Sequence, residues 1–315
     1  MKIVITDGYT LNAGDLNWDA IAACGDMIVY DRTSPGEFLE RCMDAQIILT
    51  NKVAVNREAI ERCRKLKLIS VLATGYNVID TKAASEKKIT VCNVPAYGTA
   101  SVAQHSFALL LELTNRVGQH SLSVARGDWP KSPDWCYSFT PITELAGKTM
   151  GIVGFGHIGQ QMARIAVAFG MQVIYNRLND KETSLGKYAD MESLFTNSDV
   201  VTLHCPLKPD NHEFVNRSLL QLMKTSAFII NTARGQLIHE QDLADALNNG
   251  QIAGAALDVL STEPPRETNP LLSARNCIIT PHNAWISREA RMRIMTITGE
   301  NIKAFLQGNP INRVN

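Results

Sequence analysis

The sequence predicts an α/β protein built from two parallel-sheet domains, and three observations carry that prediction. The first is length: 315 residues exceed what one ordinary core organises. The second is alternation, because short apolar runs are separated by single helix-like stretches along almost the whole chain. That is the pattern of βαβ units with right-handed crossovers. The third is a break at Pro95-Ala96-Tyr97-Gly98, which divides the alternation into two series. At 45% hydrophobic and 20% charged residues, the composition supports two sizeable cores.

In the first series the strand candidates are residues 2–6, 27–30, 47–50, 68–73 and 90–94, with amphipathic stretches such as 35–43 and 56–64 between them. The opening Met1-Lys2-Ile3-Val4-Ile5-Thr6-Asp7 reads as a buried strand ending in an acid. After the break, residues 101–117 carry Phe107, Leu109, Leu110, Leu111 and Leu113. A helix apolar on most of its circumference is buried on several sides, so this one is expected to join the domains. Residues 127–145 hold Trp129, Pro130, Pro133, Trp135, Tyr137 and Phe139. So much aromatic surface in an irregular stretch needs covering, and with the long helix it is read as a homodimer contact, the alternative being that it folds back on its own subunit.

In the second series the candidates are residues 149–153, 172–175, 200–205, 227–231, 254–259 and 277–280. Pro281 closes the last, since proline cannot donate to a sheet ladder. The final helical pattern, 290–306, has no strand after it and is expected to pack back on the first domain. The expected domains are therefore 1–97 with 290–315, and 98–289.

Lys+Arg and Asp+Glu both number 31. The zero formal charge gives no electrostatic reason to expect nucleic acid or an anionic membrane as partner. No run of about 18 apolar residues would span a bilayer, and the amino terminus reads as a strand and not as an export signal. The seven cysteines are scattered and never spaced C-x-x-C, which fits reduced thiols in a cytoplasmic protein. No residue cluster has the spacing of a metal site.

Gly154-x-Gly156-x-x-Gly159 follows the 149–153 strand and opens a helical pattern. Glycines there permit a tight turn, close backbone approach to a pyrophosphate and tight helix–strand packing. The helix N-terminus supplies N–H groups and a favourable dipole. An acid about 20 residues on would hold an NAD ribose, but this chain has Asn176-Arg177. Asn176 can hydrogen-bond a ribose without repelling a 2′-phosphate, and Arg177 can pair with one. Both NAD(H) and NADP(H) stay open.

Three more polar groups follow strand ends: Arg234, Asp258 with Glu263 five residues on, and His282. Ligands of open α/β sheets bind at the carboxyl ends of strands. Taken singly, each is an ordinary surface or structural residue. Together they supply what ketone reduction by hydride requires. A cation binds a carboxylate and polarises a carbonyl, a histidine gives the proton, and a carboxylate fixes the histidine ring. His105 and His120, His157 in the glycine loop, His204, His212 and His239 are set aside as candidates.

The set Gly154-Phe155-Gly156-His157-Ile158-Gly159, Thr232-Ala233-Arg234-Gly235, Glu263-Pro264 and Thr280-Pro281-His282 resembles the D-isomer-specific 2-hydroxyacid dehydrogenases over essentially the whole chain. The resemblance implies two Rossmann-like parallel-sheet domains with a cleft between them, the cofactor domain inserted into a flavodoxin-like substrate domain. It implies Arg234 as substrate anchor, Glu263 as partner of the histidine and His282 as general acid/base. It places Gly154, Gly156, His157, Ile158, Gly159, Asn176, Arg177, Cys205, Pro206, Thr232, Ala233, Asp258 and His282 on the cofactor. It gives Ala73, Thr74 and Gly75 to the substrate carboxylate.

Residues 49–53, 71–80, 97–105 and 281–291 are similar to glycerate dehydrogenases, also called hydroxypyruvate reductases. That likeness implies reduction of hydroxypyruvate to the D-2-hydroxy acid, with some activity on glyoxylate. The alternatives are another D-2-hydroxyacid dehydrogenase, a phosphoglycerate dehydrogenase with Lys52 as a phosphate cation, or a dinucleotide-sensing corepressor-like binding protein. Glu263 in place of a glutamine argues against a formate dehydrogenase.

Overall fold

The apolar runs become strands because they are rich in Val and Ile and are sealed on both faces, the condition for continuous hydrophobic strands in parallel sheets. The structure is a computed structural model and describes residues 1–177 and 183–315. The chain divides into two units, Met1–Gly98 with Trp285–Asn315, and Thr99–Ala284.

The first unit opens with β1 (Lys2–Ile5), α1 (Asp19–Ala22), β2 (Asp26–Val29), α2 (Phe38–Cys42), β3 (Ile47–Thr50), α3 (Arg57–Arg62), β4 (Leu68–Val71), α4 (Thr81–Glu86) and β5 (Thr90–Cys92). Its five strands are all parallel, in the order β2-β1-β3-β4-β5. Asn56 and Asp80 start α3 and α4 by accepting hydrogen bonds from Ala59 N and Ala83 N, each satisfying an N–H that the helix itself leaves open.

The second unit contains α5 (Thr99–Asn115), α6 (Val117–Ala125), β6 (Thr149–Val153), α7 (His157–Ala168), β7 (Gln172–Asn176), β8 (Lys187–Tyr188), α8 (Met191–Asn197), β9 (Val200–Leu203), α9 (Arg217–Leu222), β10 (Phe228–Asn231), α10 (Glu240–Asn248), β11 (Gly254–Leu257) and β12 (Cys277–Ile279). The sheet order is β12-β11-β10-β9-β6-β7-β8. Successive residues serve opposite faces. Val201, Leu203 and Ile229 pack with Phe195, Leu220 and Leu243, while Val200 and Ile230 pack with Leu110 and Met162. Helices α5 and α7 thus cover one face, and α8, α9 and α10 the other.

The chain then returns to the first unit, where Ser287 caps α11 (Arg288–Leu306). This helix packs against α1 and β4. A Cβ on Gly299 would stand 2.7 Å from Ala20 O, so glycine sets the close crossing of α11 over α1.

The structure differs from the sequence reading in several places, among them strand ends: the runs expected over 68–73, 90–94 and 254–259 stop at Val71, Cys92 and Leu257. The helix expected over 101–117 runs over Thr99–Asn115 and stops at Arg116, whose φ of 54° is a left-handed conformation that cannot continue an α-helix, and α6 follows as a separate helix. The two-residue strand β8 was not foreseen, being too short and too exposed to show periodicity. The 200–205 strand stops at Leu203, which leaves His204 and Cys205 in the turn. No helix among the described residues is long and apolar enough to cross a membrane.

Candidate active site

The strand-order reversals fall between β1 and β3 in the first unit and between β6 and β9 in the second, and such switch points are where open α/β sheets bind ligands. At the second one the three glycines have separate jobs. Gly154 sits at φ +92°, and a Cβ there would lie 2.4 Å from Cys205 N. The β6 and β9 turns touch only because that side chain is missing. A Cβ on Gly159 would meet Gly154 O at 2.2 Å, so this glycine seats α7 against the turn.

A Cβ on Gly156 would meet nothing within 4 Å. Gly156 is also the N-cap of the twelve-residue α7 and, being glycine, gives the helix no side-chain cap. Beside it His157 is exposed and Ile158 half-buried. An open, uncapped helix N-terminus fits a pyrophosphate, so these residues suit a dinucleotide.

At the end of β7, Asn176 donates Nδ2 to Ala189 O at 2.9 Å. The Arg177 guanidinium lies 5.8 Å from the centroid of the Tyr175 ring, which itself stacks on Phe155 at 4.1 Å. In the β9 turn the Cys205 thiol is pushed up to about 11 by burial, so it stays a neutral thiol and lines the turn with Pro206. His204 is pushed down to about 3 by burial, and its Nε2 lies 2.8 Å from Thr202 Oγ1.

The β10 turn is folded by Asn231, which is fully buried. Its Oδ1 accepts from Ala233 N at 3.0 Å, and its Nδ2 donates to Arg234 O at 2.8 Å. This residue was missed in the sequence, although an Asn closing an otherwise apolar strand is a turn signal. Arg234 is half-buried and donates to Ala233 O. A Cβ on Gly235 would strike Leu260 C at 1.9 Å, so the Arg234 turn is pressed onto the loop after β11.

That loop delivers Glu263. Its Oε1 accepts from Leu260 N at 3.1 Å, and its Oε2 lies 2.5 Å from His282 Nδ1. His282 follows β12 at φ 51°. Asp258, 1% exposed, accepts from Thr280 Oγ1 at 2.6 Å and from Asn283 N and Ala284 N at 2.9 Å each. Its carboxylate therefore gathers the segment that carries His282. His105 was set aside in the sequence as a helix residue, yet its Nε2 lies 3.1 Å from Thr280 Oγ1.

In the first unit, Val94 N donates to Ala73 O and Asn93 Nδ2 to Thr74 O. Thr74 Oγ1 donates to Val94 O at 2.8 Å, so the Ala73-Thr74-Gly75 loop is fastened to the end of β5. Asp7, 4% exposed, accepts from Asn51 N at 2.9 Å and Lys52 N at 2.6 Å. It shapes the β3 turn as Asp258 shapes the β12 turn.

A glycine cradle suited to a dinucleotide, on the same sheet edge as a cation and a histidine–carboxylate pair, defines a nicotinamide-dependent oxidoreductase acting on CH–OH groups. The family model for the D-isomer specific 2-hydroxyacid dehydrogenase NAD binding domain matches residues 107–284. The chain is 49% identical over 321 aligned positions to a hydroxypyruvate reductase of Blautia hydrogenotrophica, covering 100% of both. It is 40% identical to a glycerate dehydrogenase of Methylorubrum extorquens, covering 90% of each. An acyclic imino acid reductase solved with NADPH and D-Arg superimposes with a TM-score of 0.88 at 32% identity, over 100% of both chains. The chain belongs to the D-isomer specific 2-hydroxyacid dehydrogenase family.

Proposed function

We propose that this enzyme reduces hydroxypyruvate to D-glycerate, with some activity on glyoxylate. The observation that carries the reading is the His282–Glu263 pair at 2.5 Å, on the sheet edge that also holds Arg234 and the glycine cradle. The likeness to a hydroxypyruvate reductase and a glycerate dehydrogenase supports the choice of acid.

Arg234 is assigned the substrate carboxylate, with its guanidinium also polarising the carbonyl. Ala73, Thr74 and Gly75 are assigned to the same substrate. Glu263 holds Nδ1 of His282, so Nε2 delivers the proton to the carbonyl oxygen as it becomes an alkoxide. In oxidation the same nitrogen takes the hydroxyl proton. The nicotinamide cofactor, when bound, supplies the hydride.

Gly154, Gly156, His157, Ile158 and Gly159 would hold its pyrophosphate, and Asn176 and Arg177 its ribose or 2′-phosphate. Cys205, Pro206, Thr232, Ala233, Asp258 and His282 would line the rest. Arg177 leaves NADPH as open as NADH.

The working form is proposed to be a homodimer in the cytoplasm. Trp135 is 95% exposed and Leu122 60%, while Tyr137 and Phe139 pack against His120 of their own chain. Exposed Trp135, Leu122 and Val117 are the surface assigned to a second copy. The seven free cysteines fit a reducing compartment. Trp135→Lys should shift sedimentation toward the monomer.

The test of the reaction is the initial rate of hydroxypyruvate reduction with NADH and, separately, NADPH. Oxidation of either supports the proposal, and the ratio identifies the cofactor. No rate with hydroxypyruvate or glyoxylate removes the proposed substrates.

A further inference from the structure

The geometry points to His105 as a positioning residue for the His282 turn, acting through Thr280 and Asp258. The inference rests on the reading of His282 as proton donor and adds a residue to it.

Helix α5 is apolar toward the sheet, but three of its polar residues reach strand ends. Ser101 Oγ donates to Ala284 O at 2.6 Å. His105 Nε2 lies 3.1 Å from Thr280 Oγ1 and 3.6 Å from Asp258 Oδ1. Ser106 Oγ lies 2.8 Å from Thr232 Oγ1, beside Arg234. Ser101 and His105 are one helical turn apart and share a face. Together they grip both ends of residues 280–284, the stretch that carries His282.

Directionality identifies the role. The Thr280 hydroxyl gives its single proton to Asp258 Oδ1 at 2.6 Å, so its oxygen can only accept from His105. Nε2 of His105 therefore carries a proton and fixes the hydroxyl rotor. The rotor supports the carboxylate, and the carboxylate holds Asn283 N and Ala284 N. His282 stays at φ 51° because its surroundings over-determine it. Without the His105 proton the Thr280 hydroxyl is released and the carboxylate loses a fixed donor.

The test uses His105→Ala, His105→Gln and Thr280→Val in the full chain. Glutamine places an amide N–H near the position of Nε2. For His105→Ala, kcat should fall roughly 10–100-fold, the scale of a small misplacement of a reacting group. KM should stay within about threefold, because no substrate contact is removed. His105→Gln should recover most of kcat. The His105→Ala/Thr280→Val double variant should be no slower than the slower single variant, as for residues in one chain of contacts.

A readout without turnover is the ¹H–¹⁵N resonance of His282 Nδ1 in the histidine-labelled chain, assigned by its loss in His282→Ala. It should broaden in His105→Ala and persist in His105→Gln. An unchanged kcat in His105→Ala, no recovery with glutamine, multiplying losses in the double variant, or an unmoved resonance would each overturn the inference. If the wild-type enzyme turned over no keto acid, the proposed function would fall, and the resonance would still judge His105.

Discussion

Gly154 and Gly156 lie two residues apart in one motif, yet substituting them should separate the fold from the ligand site. At Gly154, alanine must take φ +92° with its Cβ 2.4 Å from Cys205 N and 2.6 Å from His204 C. Those are backbone atoms of a half-buried turn and cannot rotate away. The left-handed conformation costs about 1–2 kcal/mol and the overpacking about 1–3 kcal/mol, together roughly 2–5 kcal/mol. For a unit of the size of Thr99–Ala284, each kcal/mol moves the midpoint about 2–4 °C. Gly154→Ala should therefore melt roughly 4–20 °C lower by circular dichroism.

At Gly156, φ is −79° and nothing lies within 4 Å of the added Cβ, so Gly156→Ala should change stability by less than about 1 kcal/mol. Its methyl occupies the open space before α7, and the Kd for NADH or NADPH, read by nucleotide fluorescence, should rise at least about tenfold. A Gly154→Ala chain that melts like wild type would refute the packing argument. A Gly156→Ala chain with unaltered cofactor affinity would refute the cradle.

Other changes have equally definite outcomes. His282→Ala should lower kcat by about 10²–10⁴-fold through loss of the proton donor, and Arg234→Ala should lose at least as much; stopped-flow or steady-state rates on hydroxypyruvate check both. Asn231→Ala leaves Ala233 N and Arg234 O without their buried partner, which should cost about 2–3 kcal/mol in denaturant unfolding and lower turnover as the Arg234 turn loosens. His204 is held near 3 against an ordinary 6.5, so the unfolded chain binds more protons below pH 6.5. Its stabilising contribution is complete above that pH and is lost as pH falls toward 3. Between pH 6.5 and 4.5 the loss should reach about 2–3 kcal/mol, and His204→Gln should flatten that part of the stability profile. Equal slopes in both proteins would remove His204 from the account.

Alternating apolar runs specified both sheets, because a strand sealed on two faces has no other pattern available to it. Gly154, Gly156 and Gly159 announced the dinucleotide turn, since their spacing follows local chain geometry. Arg234, Glu263 and His282 were legible as candidates because each follows a strand end. Tertiary structure alone decided how they are held. Asn231 folds its own turn through Ala233 N and Arg234 O, whereas Asp258 acts on the neighbouring β12 turn, and no spacing rule announces a carboxylate 22 residues from the hydroxyl it meets at Thr280. His105 lies 175 residues from the same hydroxyl, inside a helix whose leucines dominate its pattern. The break at Arg116 was likewise hidden, because a left-handed residue other than glycine carries no composition signal. The sequence determined which groups stand at the strand ends, a matter of local periodicity. Only tertiary packing decided which side chains hold the turns that carry them, because contacts such as those of Asp258 and His105 with Thr280 join residues far apart in the chain.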